Sequence, residues 1–199
     1  MADVPDLAGP AVPAGRLRDQ TQPTLFVDEL TLRPWQAADA SAVVRAYQDP
    51  DIQRWHVRTM SEREAAEWVP SWSRKWADET GAGWAVCDDE GLLARMGLRA
   101  LSLAEGVGEV AYWVLPEARG RSVAPRALRV VSAWLFVHAG LHRIELAHST
   151  LNIGSCRVAI KAGYALEGTK RQQALHQDGW HDMHLHAGVQ GDTTSGGSV

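Results

Sequence analysis

PEARGRSVAPRALRVV, from Pro116 to Val131, reads as a turn that feeds a helix. The segment before it, GVGEVAYWVLP, alternates like a strand and is ended by Pro116. After it, Ala127, Val130, Val131, Trp134, Leu135 and His138 recur at helical spacing up to Gly140. Proline fits a helix only in its first turn, so Pro125 fixes the helix start near Val123. A strand end, a loop with Gly120 and a helix start bring several free backbone N–H groups to one point. The positive end of the helix dipole adds to them and makes an anion site. Arg119 and Arg121 contribute charge with good phosphate geometry. These residues alone admit two readings, an anion cradle or a loop with two solvated arginines. A Walker loop is excluded because no Gly-Lys-Ser/Thr follows, and the glycines and downstream acid of a dinucleotide fingerprint are missing.

Upstream of this unit, TLFVDELTLRPW predicts a strand paired through Leu25 to Leu32, and QAADASAVVRAYQDP predicts a helix stopped at Asp49-Pro50. Ser61 and Glu64 form a capping box for a helix in which Trp68, Trp72 and Trp76 share one face. Pro70 kinks that helix or marks a late start. GAGWAVCD and GLLARMGLRAL flank a DDEG turn and read as an antiparallel hairpin. Downstream, HRIELAHST is a strand, NIGSCRVAIKAG a short helix closed by Gly163, and YALEGTKR a strand turned by DGW into a last strand, HDMHLHA. The sum is an α/β fold with a mixed, mostly antiparallel sheet flanked by helices. Residues 1–23 read as a flexible N-terminal arm, 24–187 as one domain and 188–199 as a flexible tail.

The 199 residues suffice for one domain with a sizeable core. A formal charge of -4 argues against nucleic acid as the main partner. Two cysteines, Cys87 and Cys156, lie far apart without ligand spacing and read as free thiols in a reducing cytoplasm. No membrane-spanning run or signal peptide is present, so the expected location is cytoplasmic. Nine Trp and eight His are many for this length. Each buried indole needs a partner for its N–H, so some of them are expected to line a cavity or an interface.

The run Arg119-Gly120-Arg121-Ser122-Val123-Ala124 resembles the pyrophosphate loop of the GNAT N-acetyltransferases, Gln/Arg-x-x-Gly-x-Gly/Ala. Ser122 stands where that pattern has a glycine. The opening LTLRPWQAADA, the segment GEVAYWVLPEARGR and the ending LNIGSCRVAIKAGYALEGTKRQQALHQDGWHDMHLHA extend the likeness over Thr24 to Ala187. The ending, with Asn-x-x-Ser, Gly-aromatic, Glu-Gly and Asp-Gly-x-x-Asp, resembles the branch containing the ribosomal-protein N-terminal (alanine/serine) acetyltransferases. The resemblance implies an acyl-CoA N-acyltransferase fold whose sheet splays at the cofactor site, with acetyl-CoA as acetyl donor. It implies loop contacts to the diphosphate from Arg119, Gly120, Arg121, Ser122, Val123 and Ala124, and pantetheine contacts to backbone around Trp113, Val114 and Leu115.

Acyl transfer to an amine needs a proton acceptor, donors for the developing oxyanion and a donor for the leaving sulfur. By resemblance, Glu109 is the candidate base and the Val114 N–H the oxyanion donor. The tyrosine many relatives carry before the Gly-aromatic pair is Ala159 here, which leaves Ser155 as proton donor. Asn152 caps the helix or binds the pantetheine arm, and Arg157, with Arg126 and Arg129, is placed toward the phosphate end. His148 is an alternative base. Tyr164 is expected in the core. His184, His186 and Asp182 could share one strand face as metal ligands, but the chemistry requires no metal and none is expected.

The acceptor pocket is expected to draw on Trp35, Trp72 and Trp180 as substrate-binding walls, with Trp55, His56, Trp68 and Trp76 nearby. Aromatic walls suit an apolar or cationic acceptor. The acceptor amine is a protein N-terminus or a small molecule such as an antibiotic or metabolite. A rival class is a non-catalytic acyl-CoA-binding protein. Homodimers are common in the branch, but the sequence shows no seam for one.

Overall fold

The computed structural model describes residues 9–192. Eight strands form one sheet in the order β1-β2-β3-β4-β5-β6-β8-β7. They are β1 (Leu25–Val27), β2 (Leu30–Pro34), β3 (Ala82–Asp88), β4 (Gly91–Ser102), β5 (Val107–Val114), β6 (Arg143–Ser149), β7 (Ala165–His176) and β8 (Gly179–Val189). Neighbours pair antiparallel except β5 and β6, which are parallel. The helices are α1 (Ala40–Ala46), α2 (Pro50–His56), α3 (Glu62–Ala77), α4 (Val123–Trp134) and α5 (Ile153–Lys161). None of the helices is long and apolar enough to cross a membrane.

Alternation along β3 explains how one sheet carries two cores. Trp84 and Val86 point into the core that α4 covers, while Ala85 and Cys87 point into a second core beneath α1, α2 and α3. The second core holds Trp35, Tyr47, Trp72 and Trp113.

Several local expectations change. The strand expected over Leu25–Leu32 is a hairpin, turning through Asp28 in a left-handed conformation and pairing Leu25 with Leu32. Asp49-Pro50 does more than stop a helix. The Asp49 carboxylate accepts from the Ile52 N–H at 2.9 Å and Pro50 occupies the first turn of α2, so the pair starts a new helix. Pro70 lies inside α3 without ending it, and the Ser61–Glu64 capping box is present.

Residues 9–23 are not a flexible arm. Val12 and Leu17 are buried in the main core, and Val12 N–H donates to the Leu103 carbonyl. The Glu79 carboxylate accepts from the N–H groups of Gly15 and Leu17, both at 2.7 Å. Trp76 and Trp84 donate their indole N–H groups to the carbonyls of Gln20 and Pro23. Scattered apolar residues in a Pro/Gly-rich segment were enough to anchor it. At the other end β8 continues to Val189, so the start of the expected tail is strand. Residues 1–8 and 193–199 lie outside the described residues.

Gly83 on β3 admits the Trp72 ring. A Cβ there would sit 2.4 Å from the indole. Gly83→Ala is therefore expected to destabilise the fold by about 1–3 kcal/mol through overpacking. A denaturant midpoint unchanged from wild type would show that the ring does not rest on that glycine.

Candidate active site

The sheet opens where β5 leaves β6. Only Val107–Arg143, Gly108–Ile144 and Glu109–Glu145 are paired. Beyond them β5 stays with β4 as far as Val114, and β6 stays with β8 as far as Ser149. A cavity of about 1090 Å³ fills the gap, with Val110–Val114 on one lip and Leu146–Ser149 on the other. The splay expected from the resemblance is present.

Backbone alternation decides which groups face this gap. Leu115 N–H donates to the Leu93 carbonyl, so Leu115, Trp113 and Ala111 direct their backbone toward β4. Val110, Tyr112 and Val114 direct theirs to the open side. There the Tyr112 carbonyl accepts from His56 Nε2 at 3.0 Å and the Val114 carbonyl from Arg119 Nε at 3.3 Å. Of the three residues expected to meet the pantetheine arm, Val114 alone offers its backbone to the gap. The Trp113 ring packs 6.3 Å from Trp35 and from Tyr47, and Leu115 is core.

At the end of β5 the loop takes the shape its sequence suggested. Gly120 has φ 80° and Ser122 φ 55°, ψ 26°, and α4 begins at Val123. Ser122 thus adopts the left-handed conformation that glycine reaches without cost. Gly120, Ser122, Val123 and Ala124 line the cavity, and the first-turn amides of α4 have no helical acceptor. The arginines behave differently from expectation. Arg119 bridges Asp49 and Asp51, Arg121 pairs with Asp88 away from the cavity wall, and Arg126 pairs with Asp28 and Glu29. Arg129 donates to the Lys161 carbonyl. These ion pairs brace the loop against neighbouring acids, and Arg119 still lines the cavity beside the main-chain N–H groups. Arg157 and Lys161 supply cations at its rim.

Across the gap, Asn152 caps α5 by accepting from the Ser155 N–H at 3.0 Å. Ser155 Oγ lies 2.8 Å from the Tyr112 hydroxyl, and both residues line the cavity. Burial pushes the Tyr112 phenol up to about 12, against the opposing pull of the Ser155 bond. Tyr112 therefore stays protonated at neutral pH. Sequence reading passed over it, although alternation in VAYWVL sets it on the face opposite Trp113. Ala159 is buried and Tyr164 is core, its hydroxyl on Ser132 at 2.7 Å. Glu109 sits at the apex of the gap, in the last β5–β6 pair, but its carboxylate is bound to Arg99 at 2.5 Å and does not line the cavity.

The cavity wall from α2 and α3 is aromatic, and cations lie over several of its ring faces. Arg95 lies 4.8 Å over Trp72 and 5.5 Å over Trp68, Lys75 4.5 Å over Trp72, and Arg58 5.6 Å over Tyr47. Ring faces covered in this way are not open to a further cation. Trp35 stands behind the wall, 5.0 Å from Trp68, and Trp180 is 60% exposed on the β7–β8 hairpin. Neither lines the cavity, and of the three tryptophans expected as walls only Trp72 does. His56 is held neutral, its pKa lowered to about 4 by burial and by the Arg95 charge.

The described family Acetyltransferase (GNAT) domain matches residues 29–165. The chain belongs to the GNAT acetyltransferase family. It is 26% identical over 161 residues to the uncharacterized N-acetyltransferase YoaA of Bacillus subtilis, a match covering 79% of this chain and 90% of YoaA. Its fold is similar to that of the ribosomal-protein-S5-alanine acetyltransferase from Vibrio fischeri, with a TM-score of 0.78, 17% identity and coverage of 86% and 98% of the two chains. It is also similar to RimL, the ribosomal L7/L12 alpha-N-protein acetyltransferase, solved with coenzyme A, at TM-score 0.78, 16% identity and coverage of 84% and 98%. GNAT enzymes take their acetyl group from acetyl-CoA. The open amides after Gly120 suit its diphosphate, and the unpaired edge of β5 suits its pantetheine arm.

Ser122 carries left-handed strain that a glycine would not. Ser122→Gly should release about 1–2 kcal/mol of it, offset by roughly 0.4–1 kcal/mol of added chain entropy in the unfolded state. The expected result is a slightly higher denaturant midpoint with coenzyme A affinity retained. A clear loss of stability would mean instead that the serine hydroxyl holds the loop.

Proposed function

We propose that this GNAT protein acetylates a primary amine whose own molecule carries an anionic group close by, with the N-terminal amine of a protein followed by acidic residues as the acceptor. Arg95 is the observation that carries this reading. It lines the cavity, is 6% exposed, and its Nε has no hydrogen-bond partner among the described residues. Its guanidinium meets the Tyr47 hydroxyl but no carboxylate, and an incoming anion would supply the missing counter-charge. Burial lowers the Arg95 pKa against an opposing pull from Tyr47, and Arg58 and Arg99, which line the same cavity, add to the lowering. Lys75 is shifted down as well, by burial first and by Arg95 second. Asp51 is the one carboxylate in the described wall, and it is bound to Arg119.

The same cations have a second effect. An ammonium entering beside them is destabilised relative to the neutral amine, and the neutral amine is the nucleophile. This lessens the need for a dedicated base, and it suits Glu109 in the role of holding Arg99 toward the acceptor. Acetyl-CoA supplies the activated thioester. Val114 N–H offers a donor for its carbonyl oxygen, and the Ser155–Tyr112 pair a proton for the departing sulfur. Similarity in fold to ribosomal-protein N-terminal acetyltransferases supports the protein N-terminus over a small anionic amine.

Two experiments test this. Thiol release from acetyl-CoA with peptides differing only at the second and third positions should give kcat/KM about tenfold higher for acidic than for neutral residues, and lowest for lysine. Arg95→Met should flatten that ranking while coenzyme A affinity holds, whereas a preference for the lysine peptide would sink the anionic reading. Separately, Ser155→Ala and Tyr112→Phe should each lower kcat by roughly 10²-fold at nearly constant KM for acetyl-CoA. Wild-type turnover in both would remove the pair from the mechanism.

A further inference from the structure

Behind one lip of the gap, α5 closes over a second group of side chains. His148 on β6 is directly opposite His184 on β8, and His186 lies two residues further along the same face. Cys156 comes down on them from α5, its Sγ 3.8 Å from His186 Nε2. One donor atom from each of the four residues falls within 4.8 Å of all the others. The rings are gathered on a common centre, with His148 centroids 5.4 Å from His184 and 5.2 Å from His186.

Hydrogen bonding accounts for only part of this group. His148 Nδ1 donates to the Ser149 carbonyl at 2.8 Å, which leaves Nε2 as a bare lone pair. That Nε2 is buried without a partner among the described residues, and so is Nδ1 of His184. His186 turns Nε2 toward the thiol, and its ring also interacts with the Tyr164 backbone. Unpartnered buried polar atoms are rare, and two beside a third imidazole and a thiol call for a ligand. The bond from Nδ1 of His148 to a backbone carbonyl is also the outer contact that fixes the tautomer of a metal-binding histidine. Asp182, the carboxylate expected beside His184 and His186, takes no part. Its Oδ1 accepts from the Gln172 N–H at 2.8 Å.

We propose that His148, Cys156, His184 and His186 form a closed, four-coordinate site for a zinc-class divalent ion. Three imidazole nitrogens and a thiolate with no carboxylate select such an ion over magnesium or calcium. Tetrahedral bonds of about 2.0–2.3 Å place ligand atoms roughly 3.3–3.7 Å apart, so the widest pair must close by about an ångström. On binding, Cys156 gives its thiol proton to solvent and its sulfur binds as thiolate. With all four positions filled by protein, no coordination site remains for substrate, and the ion is structural. It ties α5 to β6 and β8 one residue beyond Ser155, behind the cavity wall that His148 helps to form.

The test uses the full chain without a histidine tag, stripped with chelator and returned to one equivalent of metal. Elemental analysis should find one zinc per chain. Cobalt should give the intense visible bands of a tetrahedral ion with a near-ultraviolet thiolate transition, and Cys156→Ser should abolish the thiolate band. Zinc at about a hundredfold over Kd should raise Tm by roughly 5–10 °C. Because Cys156→Ser could disturb packing, His184→Gln, at a less buried position, should weaken zinc affinity at least tenfold on its own. Octahedral cobalt spectra, binding only at millimolar zinc, or unchanged affinity in both variants would overturn the site. These readouts need no acceptor or acetyl-CoA, so they stand or fall apart from the proposed activity.

Discussion

The three residue pairs that join β5 to β6 are the constraint on which the rest of the molecule is arranged. Were the pairing continued, the sheet would be closed and there would be no cleft. Stopping it leaves two strand edges with backbone groups that must find partners. His56 and Arg119 meet two of the carbonyls on the β5 edge, and an extended substituent laid between the lips could meet others as an added strand would. The loop that follows Val114 emerges at the mouth of that opening. The positive end of α4 and the pantetheine edge are therefore adjacent for a topological reason.

Charge is sorted around the cleft in a way that the total of -4 conceals. Acids lie outside the cradle and hold its arginines: Asp49 and Asp51 on Arg119, Asp88 on Arg121, Asp28 and Glu29 on Arg126. Beneath α3, Arg95 and Lys75 rest on tryptophan faces instead of on carboxylates. Ring quadrupoles hold a guanidinium without neutralising it, so the positive potential stays available in the cavity. Screening by solvent is weak at a side chain as buried as Arg95, which makes it the strongest element of that field.

What could be read in the sequence was local. The strand, loop and helix around Gly120, the Ser61 capping box and the Asn152 cap rest on neighbours within a few residues, and the structure has them all. What could not be read depends on pairs brought together by the sheet. Tyr112 meets Ser155 across 43 residues, and Trp76 meets Gln20 across 56. Tryptophan spacing showed that Trp68 and Trp72 share a face but not that Arg95, one strand away, would cover it. The same limit applies to Trp35 and Trp180, which the sequence alone does not separate from Trp72. One is backed against Trp68 and the other stands on an outer hairpin, and only tertiary placement separates them.

The position of α5 shows how these layers combine. Nine residues make a helix too short to hold itself in water, so its place is set by what it touches. Its N-terminus is fixed by the Asn152 cap and by the Ser155–Tyr112 bond, which reach only one end and one strand of the open sheet. Transfer of a proton to a departing sulfur tolerates little misplacement of the donor. Arg129 donates to the Lys161 carbonyl at the other end, and an attachment from the opposite strand would fix the middle of the helix as well. Cys156 follows Ser155 in the chain and faces the histidines of β6 and β8. The residue that would carry the proton and the residue that would anchor the helix to the far lip are therefore neighbours on one turn.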